Sequence, residues 1–369
     1  MIYLDYQATT PLAPEVVAAM TPWLDKFANP HSPSRWGREA AATIAVARAA
    51  VDRAIGLPGD TSIFTGSATE AINLAIKGTF ERSTRRKLVT VATEHAAVLD
   101  TAEWLQDQGV DVVRLPVGRD GIVDIEAARL AIDADTALVA AMLVNNEIGV
   151  LQPVAELARL ARGAGALMLC DAVQGLGRVA IPDGCDLVAV SAHKIHGPKG
   201  IGALWVREGT QVAPLVHGGG QERGLRSGTL SPMLCAGFGA AAKLAAERRD
   251  ADRQHVEQLW SAALEALGPG WTLNGSSEQR YRGNLNLRRD GLDAARLLAD
   301  LRDIAFSLGS ACASGSGRPS HVLRAIGLSD AQARGSIRLG FGRYTREEEL
   351  VDACRRIAAT ARAQQDLAA

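Results

Sequence analysis

The 369-residue sequence has few aromatic residues (4%), few cysteines (five) and a formal net charge of only −1. Without a basic excess it lacks the charge pattern of nucleic-acid-binding proteins. It has no apolar stretch long enough to span a bilayer, and residues 1–5 lack the pattern of a signal peptide. The cysteines form neither a CxxC pair nor a regular disulfide framework, which predicts a metal-free, cytoplasmic protein.

Strand-like apolar runs alternate with alanine-rich helical patterns from about residue 16 to residue 250. This alternation predicts an α/β fold with a mostly parallel sheet flanked by helices. The chain length indicates about two domains. We therefore expect a large cofactor-binding domain at 16–250 and a smaller α+β domain at 251–369.

The most informative segment is 191–200, SAHKIHGPKG, in which Lys194 lies between two histidines directly after an apolar run. The runs 186–190 and 201–206 predict two buried strands, with Lys194 on the turn between them. A lysine among apolar groups and imidazoles loses hydration, which lowers its pKa and favours the neutral amine that forms Schiff bases. A solvated surface lysine is the alternative interpretation.

Pyridoxal phosphate needs more than a lysine: an acid at its pyridine nitrogen, an anion site for its phosphate and a group stacked on its ring. The run 166–170 predicts a buried strand that leads directly into Asp171. Ligands of α/β folds bind at the carboxyl ends of strands. Asp171 is therefore the candidate acid, and a solvated loop aspartate is the alternative.

The candidate phosphate site is the segment 61–76, which is typical of a strand, a glycine turn and a helix. Free backbone amides at a helix start bind anions, and the hydroxyls of Ser67 and Thr69 add donors. The alternative is an ordinary helix N-cap supported by Glu70.

Two further strand ends carry polar residues. His95 follows the run 88–92, and Asn146 follows the run 140–144. A neutral imidazole at such a position can stack on a cofactor ring and transfer protons near pH 7. A packed or solvated histidine is the alternative, but together four strand ends carry groups suited to one cofactor.

The chain resembles the cysteine desulfurases of the NifS and IscS type, which belong to the class V aminotransferase group of fold-type I pyridoxal-phosphate enzymes. The resemblance covers nearly the whole chain. Its motifs lie at residues 3–16, 29–40, 65–78, 93–100, 144–153, 170–175, 191–204, 217–230, 309–328 and 336–345. It implies a fold-type I transferase in which residues 1–15 join the small domain.

The resemblance also implies roles for individual residues. Lys194 matches the Schiff-base lysine, Asp171 the partner of the pyridinium nitrogen, and His95 the stacking and proton-transferring histidine. The other matches are Asn146 and Gln174 near the phenolic oxygen, Ala68, Thr69, Ser191 and His193 at the phosphate, Thr229 at the phosphate of the neighbouring subunit of a homodimer, and Arg338 at the substrate carboxylate.

Cys312 lies in the segment 309–319, whose small residues are typical of a loop. A thiolate is a strong nucleophile. The resemblance implies that Cys312 accepts the substrate sulfur as a persulfide. The other four cysteines lie in apolar or helical patterns and are expected to be structural.

The resemblance thus implies an enzyme that converts L-cysteine to L-alanine and passes the sulfur to an acceptor protein. The acceptor would serve iron–sulfur cluster assembly or tRNA thiolation. Alternatives are a selenocysteine lyase, a class V aminotransferase and, least favoured, a noncatalytic sulfur-carrier subunit. The order Gly66-Ser67 reverses the Ser-Gly expected in the family, which leaves the exact phosphate contacts open. The resemblance associates a longer C-terminal tail with housekeeping members that engage an iron–sulfur scaffold, and the sequence given stops at 364–369, so we expect either class of acceptor.

Overall fold

A computed structural model describes residues 1–59, 62–308 and 319–366. The described strands are β1 (Ile2–Tyr3), β2 (Ser62–Thr65), β3 (Lys87–Val91), β4 (Asp111–Leu115), β5 (Thr136–Met142), β6 (Leu167–Asp171), β7 (Leu187–Ser191), β8 (Gly202–Val206), β9 (Thr272–Leu273), β10 (Asn284–Arg288), β11 (Ile304–Ala305), β12 (Ser307–Leu308) and β13 (Ser336–Gly340). The described helices are α1 (Pro14–Met20), α2 (Arg35–Ile55), α3 (Ala68–Arg82), α4 (Ala96–Asp107), α5 (Ile125–Ala131), α6 (Val154–Ala164), α7 (Pro232–Leu267), α8 (Ala294–Asp300), α9 (His321–Ala325), α10 (Asp330–Arg334) and α11 (Glu347–Asp366).

The large sheet has the strand order β2-β8-β7-β6-β5-β3-β4. Strands β7, β6, β5, β3 and β4 pair in parallel, whereas β8 is antiparallel to both β7 and β2. Along β7, Val188 and Val190 enter one apolar core, and Leu187 and Ala189 enter another on the opposite face. Both faces are buried because helices cover them. The predicted α/β fold with a mostly parallel, helix-flanked sheet is therefore confirmed.

A smaller antiparallel sheet has the strand order β12-β13-β10-β9. Its apolar residues share a separate core with α8, α11 and the C-terminal part of α7, which contributes Val256, Leu259 and Trp260. We keep the division into two domains as a proposal. Its boundary at residue 250 falls inside α7, a continuous helix of 36 residues.

The N-terminal segment, residues 1–13, connects the two sheets. Its strand β1 pairs in parallel with β11, and Asp5 forms a bridge to Gly340 at the end of β13. Further along, the Thr10 amide donates to the carbonyl of His193, just past β7. Residues 5–10 therefore run between Arg338 on β13 and Lys194. Within the described part of the chain, no helix is both long and apolar enough to cross a membrane.

Candidate active site

A cavity of about 240 Å³ opens at the C-terminal ends of strands β3, β5, β6 and β7. Parallel strands end at the same edge of a sheet, so the polar residues that follow them converge there. Nine of the twelve predicted site residues line this cavity: Ala68, Thr69, His95, Asn146, Asp171, Gln174, Ser191, His193 and Lys194. The three exceptions are Arg338, Thr229 and Cys312.

Lys194 ends a short 3-10 turn, Ala192–Lys194, between the antiparallel strands β7 and β8. The predicted position on a turn between two buried strands is confirmed. Its ammonium nitrogen Nζ donates to the carbonyl of Ala8 at 2.8 Å and to the carbonyl of Gln7. Burial and, after it, the positive charges of Arg178 and Arg338 together lower the pKa of Lys194 to about 8. A substantial neutral amine fraction is therefore present near pH 8.

This pKa predicts the pH dependence of cofactor incorporation. Only the neutral amine attacks an aldehyde, so a pKa lowered from 10.5 to about 8 moves the half-maximal rate down to about pH 8. We expect the rate at which cofactor-free protein gains visible absorption with pyridoxal phosphate to rise up to that pH and then level off. A rate that still rises about tenfold per pH unit above pH 9 would contradict the lowered pKa.

Asp171, the last residue of β6, is buried, and its Oδ1 accepts a hydrogen bond from the Val173 amide at 2.9 Å. Burial raises the pKa of Asp171. The neighbouring Glu94 is fully buried, with Oε1 accepting from the Met142 amide at 2.8 Å and Oε2 without a partner. Burial first, and then the charge of Asp171, raises the pKa of Glu94 well above its ordinary value. Asp171 lines the cavity and Glu94 does not, so Asp171 is the carboxyl group of this pair that a bound cation can meet.

The start of α3 forms another wall of the cavity. Ser67 is the N-cap, and its hydroxyl accepts from the Glu70 amide at 3.2 Å. Glu70 in turn pairs with Arg226 at 2.8 Å. The ordinary N-cap interpretation is therefore correct for the Ser67 side chain. Because a cap leaves other amides of the first turn unpaired, the helix start can also hold an anion.

Two histidines, His95 and His193, line the cavity. The ring nitrogen Nδ1 of His95 accepts from the Ala97 amide at 3.0 Å, so in the neutral ring the proton lies on Nε2. The Nδ1 atom of His193 lies 3.1 Å from the Thr9 hydroxyl oxygen. Burial, followed by the charge of Lys194, lowers the pKa of His193 to about 4. His193 is therefore neutral at physiological pH.

Gln174 is fixed from two sides. Its Nε2 donates to the Gln7 carbonyl at 2.9 Å, and its Oε1 accepts from Arg178. Arg178 also donates to the carbonyl of Lys194 at 2.8 Å and lies over the ring of Tyr281. Arg178 thus links two of the predicted site residues, although sequence analysis assigned it no role. The only signal for it was its position four residues after Gln174.

Arg338 lies beside the cavity and is only 4% exposed. Its Nη1 donates to the Asn146 carbonyl at 3.0 Å, and its Nη2 donates to Asp5 Oδ1 and Ser307 Oγ, each at 2.8 Å. Its Nε is buried without a partner. In this conformation the two Nη atoms of the guanidinium donate their hydrogen bonds to groups of the same chain.

Thr229 is exposed and does not line the cavity of its own chain. Cys312 lies outside the described residues, in the range 309–318. Sequence analysis missed Asp5, Gln7 and Glu94. Asp5 and Gln7 belong to the motif 3–16, and Glu94 directly precedes His95, but neither pattern indicated contacts to the site.

Comparisons with known proteins agree on the family. A family model described as aminotransferase class-V matches residues 2–353. The sequence is 45% identical over 361 residues to cysteine desulfurase IscS of Rickettsia bellii (strain OSU 85-389), covering 95% of this chain and 88% of that protein. A solved NifS-like protein has a TM-score of 0.91 at 33% identity and covers 97% of this chain and 98% of its own. SspA, solved in complex with cysteine, has a TM-score of 0.84 at 34% identity and covers 94% of this chain and 100% of its own.

Proposed function

Because this chain belongs to the aminotransferase class-V family, we propose that it is a pyridoxal-phosphate-dependent cysteine desulfurase. It converts L-cysteine to L-alanine and transfers the sulfur to a cysteine of its own. The observation that carries this proposal is one cavity in which Lys194, Asp171 and His95 meet. Two curated relatives are named cysteine desulfurase IscS, which supports sulfur transfer as the reaction of this member of the family.

The donor set of the cavity fits pyridoxal phosphate. Lys194 supplies an amine with a pKa of about 8. Asp171 supplies a buried carboxyl group whose ionised form burial disfavours and a facing pyridinium nitrogen would stabilise. The cofactor would be held by Lys194 covalently, by Asp171 at its ring nitrogen, and by the start of α3 with Ser191 and His193 at its phosphate. When bound, the cofactor supplies an electron sink next to the substrate Cα.

The other cavity residues and Arg338 have proposed roles in binding and proton transfer. His95, with its proton on Nε2, can stack on the ring and move protons at the substrate. Asn146 and Gln174 would contact the phenolic oxygen of the cofactor ring. The side chain of Gln174 is fixed by its hydrogen bonds to Gln7 and Arg178. Arg338 is the carboxylate-binding residue, a task suited to its planar, bidentate donor geometry.

Cys312 is the proposed sulfur acceptor. Its thiolate attacks the sulfur of the bound L-cysteine, so that an S–S bond forms while the substrate C–S bond breaks. The electron pair of the broken bond remains with the substrate carbon. Protonation of that carbon yields L-alanine, and the enzyme keeps a persulfide.

The oligomeric state and the partners are proposed from the family to which the chain belongs. We propose a homodimer in which Thr229, exposed in its own chain, reaches the phosphate of the neighbouring subunit. Fully active, cofactor-saturated monomers in sedimentation velocity would contradict the dimer.

The sulfur acceptor is a protein of iron–sulfur cluster assembly or tRNA thiolation, and the compartment is the cytoplasm. SspA, which was solved with cysteine, supports L-cysteine as the substrate.

Incubation of the holoenzyme with L-cysteine tests this function. With a thiol reductant we expect continuous release of alanine and sulfide in equal amounts. Without reductant, alanine should stop near one equivalent per subunit, because the persulfide is not discharged. D-cysteine is the control. Formation of a keto acid instead of alanine would indicate an aminotransferase, and turnover confined to L-selenocysteine would indicate a selenocysteine lyase.

A further inference from the structure

Asp5, Ser307 and Arg338 form a closed polar triangle beside the cavity. Asp5 Oδ1 accepts from Arg338 Nη2 at 2.8 Å and from Ser307 Oγ at 2.8 Å, and Ser307 Oγ accepts from the same Nη2 at 2.8 Å. A carboxylate binds arginine with two hydrogen bonds, either from Nη1 and Nη2 or from Nε and Nη2. Nη2, the nitrogen trans to Cδ, takes part in both modes. The chain therefore presents an internal carboxylate to the atom that a substrate carboxylate needs.

The backbone fixes this arrangement. Asp5 bridges Gly340, two residues beyond Arg338, and residues two apart on a strand share a face. The Gly340 amide donates to the Leu4 carbonyl at 2.7 Å, and the Leu4 amide donates to the Ala305 carbonyl at 2.7 Å. Asp5 is thus held beside Arg338 by backbone contacts to β13 and β11 and not by its side chain alone.

Charge explains why a carboxylate is present here. Arg338 has a side chain only 5% exposed, and a buried guanidinium without a counter-ion is strongly unfavourable. Lys194 brings a second positive charge close enough to interact with Arg338. A second carboxyl group that interacts with Arg338, that of Glu147, is hydrogen-bonded to Ser320, and burial raises its pKa. Asp5 is therefore the carboxylate in direct contact with the guanidinium.

We propose that Asp5 is the internal counter-ion of the substrate-carboxylate site. It balances Arg338 while the site is free, and the carboxylate of the amino acid replaces it as the main partner of the guanidinium. Asp5 is a positioning residue, since it acts through Arg338. The proposal rests on the proposed function in one respect, namely that Arg338 binds the substrate carboxylate.

Asp5→Asn tests this proposal in the holoenzyme. Asparagine keeps an oxygen that accepts from Nη2 and from Ser307, but it removes the negative charge. The free enzyme then holds an uncompensated buried cation, which an incoming carboxylate relieves. We expect a lower Tm without ligand, a Kd for L-alanine about tenfold lower than in the wild type by calorimetry, and a larger gain in Tm on adding L-alanine.

A loss of general packing would not produce these opposite changes in stability and affinity. Ethylamine, which lacks the carboxylate, should bind the variant and the wild type equally. Asp303→Asn is the matched control, because Asp303 forms an exposed ion pair with Arg356 at 2.7 Å. Removing that charge should leave both the Tm and the Kd for L-alanine nearly unchanged.

A Kd for L-alanine that is unchanged or higher in folded, cofactor-loaded Asp5→Asn would overturn the counter-ion proposal. Ser307→Ala keeps both charges and covers the case in which Asp5→Asn does not fold. It should bind L-alanine no more tightly than the wild type, and tighter binding would overturn the proposal. Failure of the wild type to turn over L-cysteine would instead refute the proposed function, while the comparison of L-alanine affinities would still decide the role of Asp5.

Discussion

We expect Lys194→Ala to lose L-cysteine turnover by at least about a thousandfold and to lose the visible absorption of the cofactor-loaded enzyme. Lys194 is the only lysine that lines the described cavity, so no other amine there can replace it. Its amine also has the pKa of about 8 that favours attack on an aldehyde. Absorption spectra and an alanine assay on the purified variant measure both losses.

Lys199→Ala is the control for this variant. Lys199 lies in the same segment, five residues further on, and is exposed. We expect it to retain both the absorption and the turnover. Lys194→Ala also removes the hydrogen bonds of Lys194 to the carbonyls of Gln7 and Ala8, so a thermal melt should accompany the assay. Full visible absorption in a folded Lys194→Ala protein would reject Lys194 as the cofactor lysine.

The second large effect is expected from Cys312→Ala. The variant should bind the cofactor and L-cysteine as the wild type does, because Lys194 and Arg338 remain. Without a thiolate to accept the sulfur, the substrate C–S bond has no nucleophile, and release of alanine and sulfide should fall to background. In the wild type after one turnover, mass spectrometry should find one added sulfur atom on the peptide that contains Cys312.

The remaining cysteines provide the control. Cys170, Cys185, Cys235 and Cys354 are all buried, which agrees with the structural role that the sequence predicted for them. Burial raises the pKa of Cys354 to about 12, so its thiol is not a nucleophile at neutral pH. Cys354→Ala should keep its turnover per folded enzyme. Full desulfurase activity in Cys312→Ala would exclude the persulfide mechanism and favour a lyase that releases sulfur directly.

Much of the candidate site follows from local sequence patterns. Apolar runs that end in a polar residue predict where a buried strand stops, and in a parallel sheet those ends meet at one edge. For this reason His95, Asn146, Asp171 and Lys194 were predicted singly and are found around one cavity. The turn that carries Lys194 was predicted from its two flanking strands.

The N-terminal segment was not predictable in this way. Asp5 and Arg338 are 333 residues apart, and Gln7 and Lys194 are 187 residues apart, so neither contact has a local pattern. The surroundings of Arg338 were not predictable either. Its guanidinium donates a hydrogen bond to Asp5, and it lies beside the cavity.

The sequence by itself determined the α/β fold, the strand ends and the residue types that a pyridoxal-phosphate enzyme needs, because these depend on periodicity and on the chemistry of single side chains. Only the tertiary structure decided which charges face one another and which are buried. The pKa of Lys194 and that of Glu94 depend on desolvation and on neighbouring charges, several of them distant in sequence. Such environments arise only when the two sheets and the N-terminal segment pack together.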